Sequence, residues 1–89
     1  MSVVPNLPGT AEEIVAWLGG ADARHSATMG VVRYFAWSHL PGRLKEVSQL
    51  YCEMMLNLLI EVPKDSPQLT TALNRLLESK DAAVRAALD

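Results

Sequence analysis

The stretch from Pro41 to Pro63, PGRLKEVSQLYCEMMLNLLIEVP, decides the fold. Leu44, Val47, Tyr51, Met54 and Leu58 recur at the three-four spacing of one helix face. Pro41 suits a first helical turn, and Val62-Pro63 stops the pattern. Just beyond, Ser66-Pro67 sets an N-cap before a proline at the first helical position. Leu69, Leu73, Leu76, Ala83 and Ala87 then carry the same period to the chain end. Two helices of about 20 residues, each about 30 Å long, joined by Lys64-Asp65, must form an antiparallel hairpin. From Cys52 to Val62 the first of them is apolar on nearly every side, and one partner helix covers one stripe. Met55, Leu56, Leu59 and Ile60 are therefore expected to meet the short N-terminal helix or further copies of the hairpin.

Upstream, Thr10 and Glu13 stand at capping-box spacing and predict a short helix over 11–18, with Ile14, Trp17 and Leu18 on one face and Gly19-Gly20 as its stop. Before it, Ser2 to Gly9 holds two prolines and a glycine and reads as an extended arm. Ala21 to Thr28 shows no period and reads as a linker, and Met29 to Trp37 is ambiguous. The expected organisation is all-α: residues 1–32 as arm and short helix, residues 33–89 as a helical hairpin that oligomerises and binds ligand.

Eighty-nine residues make one domain, and 49% are apolar against 20% charged, with a mean hydropathy of +0.11. A chain this small cannot hide that much apolar surface alone, so composition also points to a homo-oligomer. The net charge of −2 and pI of about 5.6 disfavour long nucleic acid. No uncharged apolar run reaches the roughly 18 residues of a membrane span. Met1 to Gly9 has no basic stretch of the kind that opens a secretion signal. The single cysteine, Cys52, has no disulfide partner, which fits a reducing interior, and no Cys/His cluster has metal-ligand spacing.

Charge is nevertheless concentrated. Ala23 to Lys45 contains Arg24, Arg33, Arg43 and Lys45 and no acid, so this window is +4 and the remainder, with four basic and ten acidic residues, is −6. The same window holds His25, His39 and three of the five aromatics, Tyr34, Phe35 and Trp37. Flat faces beside cations suit a ligand with both bases and phosphates. Core packing is the competing role for Phe35; Trp37 or Tyr34 is the better stacking face. On the last helix Lys80 interrupts the apolar seam, either with its stem packed and its ammonium in solvent or pointing at an anion. Asp81 and Arg85, four apart, suit a helix salt bridge. Catalysis has little support. Neither histidine has a convincing nucleophile partner, Cys52 lies among apolar neighbours, and Gly19-Gly20 lacks the Lys and Ser/Thr of a phosphate loop.

Tyr34-Phe35-Ala36-Trp37-Ser38-His39-Leu40-Pro41 and Leu76-Leu77-Glu78-Ser79-Lys80-Asp81-Ala82-Ala83-Val84-Arg85-Ala86-Ala87, with the two-helix layout between them, resemble the small phage anti-CBASS and anti-Thoeris hairpin proteins. These act as sponges for the cyclic-nucleotide signals of bacterial immunity. The resemblance covers about residues 33 to 89. It implies hexamers of helical hairpins in the host cytoplasm that bind cyclic di- or trinucleotides, or cyclic ADP-ribose relatives, at subunit interfaces without cleaving them, with no cofactor. Phe35-Ala36-Trp37 matches the family's aromatic-x-aromatic element, with tryptophan where tyrosine is usual, so a stacking face is kept and a hydroxyl lost. Lys80 and Arg85 align with the family's closing helix as candidate phosphate contacts, beside Arg33, Arg43 and Lys45. The alternative is a helical protein-protein adaptor docking through its Met-rich helix, or a structural oligomer without a ligand.

Overall fold

A computed structural model describes Val4 and residues 6–88, and the chain is all-α over them, with no strand. Of the expected arm, residues 1–3 and 5 lie outside the described residues. Helix α1 spans Ala11–Leu18 and both halves of its capping box are formed: Glu13 N–H donates to Thr10 Oγ1 at 3.0 Å, and Thr10 N–H donates to Glu13 Oε1 at 3.0 Å. The amides of Thr10 and then Gly9, both donating to Glu13 Oε1, hold the Glu13 carboxyl below its usual range. Gly19 closes the helix in the left-handed conformation at φ 112°, which only glycine adopts without strain.

The expected linker and ambiguous stretch are ordered. Helix α2 runs over Ser26–Val32 and continues into a single 3-10 turn, Arg33–Phe35. His25 supplies the cap through its side chain, Nδ1 accepting from Ala27 N–H at 3.1 Å. Thr28, Met29, Val32 and Phe35 are buried, the three-four stripe that drives this segment into helix despite its β-branched residues.

Helix α3, Gly42–Glu61, and helix α4, Pro67–Leu88, pack against one another, and Tyr51 Oη lies 2.8 Å from Ser79 Oγ across them. Val62 ends α3, and Ser66 Oγ caps α4 by accepting from Leu69 N–H at 3.1 Å. On α4 the expected seam holds: Leu69 and Leu73 are buried, and Leu76, Lys80, Ala83 and Ala87 are half-buried.

On α3 the buried face is Ser48, Cys52, Met55, Leu56 and Leu59, one step around from the expected stripe. Leu44, Val47, Tyr51 and Leu58 only flank it, half-buried, and Met54 is 55% exposed. The reason is that α3 is covered from two directions, by α4 and by the N-terminal region, and burial is deepest where the two meet. Met55, Leu56 and Leu59 thus find their partners inside the chain, in one cluster with Val4, Ile14, Met29, Val32, Phe35, Leu69 and Leu73. Of the two expected partners, the N-terminal region is the one that covers these three; of that group only Ile60 remains largely in solvent, 43% exposed.

The arm is held down by carbonyls. Pro8 O accepts from Trp37 Nε1 at 2.9 Å and from Cys52 Sγ at 3.6 Å, and Gly9 O accepts from the amides of Trp37 and Ser38 at 2.9 and 3.0 Å. A side chain at Gly9 would stand 2.8 Å from Ser38 Cβ, so the close approach requires glycine.

Candidate functional site

The element 34–37 separates its aromatics sharply. Phe35 closes the 3-10 turn with its ring wholly buried, so the stacking role expected of it is corrected to core packing. Trp37 is half-buried against the core, with its indole N–H committed to Pro8 O. It works as a peg for the arm. Tyr34 points the other way and is 61% exposed, the free ring of the three.

Lys80 connects Tyr34 to α4. Its Nζ donates to the Tyr34 carbonyl at 2.6 Å and lies 6.0 Å from the Phe35 ring centroid. The 3-10 turn leaves carbonyls without an intrahelical partner, and the ammonium serves one of them. Around it a shallow groove of about 230 Å³ is lined by His39, Leu40, Lys80, Asp81, Val84 and Arg85. The Asp81–Arg85 salt bridge expected from spacing is not formed; among the described residues the ion pairs are Arg24–Asp65 and Arg75–Glu78. The exposed Arg85 guanidinium is thereby left to the groove.

Two ends of the sequence therefore converge on one groove, the 34–40 turn and the closing helix. Arg33, Arg43 and Lys45 do not line it. Arg33 and Arg43 are exposed, and Lys45 is half-buried on α3. The groove can offer an anion the donors of Lys80 and Arg85, with Asp81 as the opposing charge; Tyr34 reaches Lys80 through its backbone carbonyl.

A second cluster escaped sequence reasoning. Asp65 accepts from His25 N–H at 2.8 Å, Thr28 Oγ1–H at 2.8 Å and Arg24 Nε at 3.1 Å. Arg24 also donates to the Val62 and Leu59 carbonyls, at 2.9 and 3.5 Å, covering the C-terminal end of α3. The Asp65 carboxyl is held below its usual range, chiefly by the His25 amide. A cleft of about 470 Å³ is lined by Asp65 itself with His25, Ala27, Ser66, Pro67 and Thr70. These partners are 37 to 41 residues apart, so no local signal marks them.

Cys52 is fully buried, and loss of solvation pushes its thiol up to about 12. Among the described residues no group of three or more His, Cys, Asp or Glu could hold a metal, and no helix is long and apolar enough to cross a membrane. No family model, no curated protein and no solved structure matches the chain.

Proposed function

We propose that this protein is a non-catalytic phage sponge that binds a cyclic di- or trinucleotide messenger in the host cytoplasm and withholds it from its effector. The observation that carries the reading is the meeting of Lys80 and Arg85 with the His39 loop in one groove, where Lys80 also donates to the backbone carbonyl of Tyr34, whose ring is exposed. Bases would stack on Tyr34, and phosphates would take the Arg85 and Lys80 donors. Phe35 and Trp37 support the turn from behind. At about 230 Å³ the groove is smaller than a typical small-molecule pocket, which supports a site completed by another subunit, with α3 and α4 as an antiparallel hairpin within a homo-oligomer such as a hexamer. Each site removes one ligand without turnover, so protection requires protein in excess.

The test is gel filtration of the purified protein after mixing with a panel of cyclic di- and trinucleotides. Absorbance at 260 nm should travel with the protein, and heating should release the ligand intact. Tyr34→Ala and Arg85→Ala should each weaken retention about 5- to 150-fold, the cost of one stacked base or one charged contact. Retention of no messenger ends this reading. A helical adaptor is the alternative, favoured by Leu50 and Met54, which stand 64% and 55% exposed on α3.

A further inference from the structure

The solvent face of α3 carries a charge order that works against its own helix. Arg43 stands in the first turn and Glu61 is the last residue, and both are exposed. The N-terminal end of a helix is partly positive and the C-terminal end partly negative, so each side chain meets a like-signed dipole end. No acid in the first turn and no base in the last turn offsets this, and Pro41 provides no side-chain cap. Among the described residues neither Arg43 nor Glu61 belongs to an ion pair.

These two residues are also in line. Eighteen positions separate them, five turns at 3.6 residues per turn, so they share one azimuth. Leu50 and Met54 straddle that azimuth between them, and they are the most exposed large apolar residues on α3. The pair 43 and 61 and the pair 50 and 54 have the same midpoint, position 52.

We infer that this face docks a second copy of the chain, α3 against α3 in antiparallel sense, about a twofold axis at the level of residue 52. Leu50 then packs on the partner's Met54 and Met54 on the partner's Leu50. Arg43 reaches the partner's Glu61 at one end, and Glu61 the partner's Arg43 at the other. Each charge that opposes its own dipole gains an opposite charge and an opposite helix end. Helices crossing at about 20° diverge laterally by about 5 Å at Arg43 and Glu61, within reach of those long side chains. The Glu46 and Glu53 carboxylates remain on the solvated rim. This inference gives the assembly in the proposed function a specific face, but its test uses no nucleotide.

Sedimentation equilibrium of the ligand-free protein tests it. The mass should be an even multiple of 9.7 kDa. Arg43→Glu alone and Glu61→Arg alone should each weaken the association roughly tenfold or more, because each homodimer then holds two like-charge pairs. An equimolar mixture of the two variants should recover it, since one chain supplies two acids and the other two bases at matching positions. Leu50→Glu with Met54→Glu should abolish it, while circular dichroism of all variants stays helical. A monomer at millimolar concentration, an assembly indifferent to these changes, or no recovery in the mixture would overturn the inference. Nucleotide retention, measured separately on the charge variants, keeps the two proposals distinct: an assembly through another face sinks this one alone.

Discussion

Ser48 shows what one side chain costs. It sits on the deepest line of α3 with its hydroxyl buried and without a hydrogen-bond partner among the described residues. Burying a hydroxyl without compensation is unfavourable, and removing the oxygen leaves a cavity smaller than a methyl group. Ser48→Ala should therefore raise unfolding stability by about 1 kcal/mol, read as a higher denaturant midpoint at unchanged slope. Among the aromatics, chemistry alone would rank Phe35, Trp37 and Tyr34 together as stacking faces. Only the 3-10 turn, which swings adjacent side chains to different sides, separates the core ring from the free one. That swing has no signature in residue type.

Elements were legible where their signals are local. Thr10 with Glu13, Ser66 with Pro67, and Val62-Pro63 each act within a few residues, and α1, the C-terminal end of α3 and the start of α4 fall where those residues place them, whereas Pro41, expected in the first turn of α3, stands just before it as an extended N-cap. Helix α2 was not legible, because β-branched residues and Gly30 weaken its propensity and its stripe gains only once α4 and α1 are there to receive it. The same distance hides its anchor, Asp65. Asp65→Asn would keep one acceptor oxygen but turn an N–H toward the His25 amide, and should cost about 2 kcal/mol in denaturant unfolding. The pH sign follows from the lowered carboxyl. The native pKa lies below the ordinary 3.8, so the network stabilises fully above that value and is lost as pH falls through the lower native one. The acid limb of a stability-pH curve should be shallower in Asp65→Asn than in the parent.

Across the whole molecule, one core draws on residues from Val4 to Leu73, so the first 32 residues share the packing of the long helices. Of the two grounds for expecting a second subunit, composition and the second stripe of α3, the stripe is largely covered by this region. The outer face of α3 keeps Leu50 and Met54 exposed, and the groove between His39-Leu40 and α4 stays open. Cys52 reports on the integrity of the whole, since the arm, Trp37 and α3 all meet there. Its buried, proton-retaining thiol should resist a disulfide labelling reagent in the native protein and react at the rate of global opening. Fast labelling under native conditions would mean that the arm detaches without the rest unfolding.

The Arg24 bridge has a consequence for how this chain can diverge. Because one guanidinium ties the last carbonyls of α3 to Asp65, the segment 62–66 has a fixed span, and an inserted residue there would pull the carboxylate away from three donors at once. Length variation among sister sequences should instead collect at Gly19-Gly20, where open space surrounds Gly20 and nothing distant is fastened to the bend.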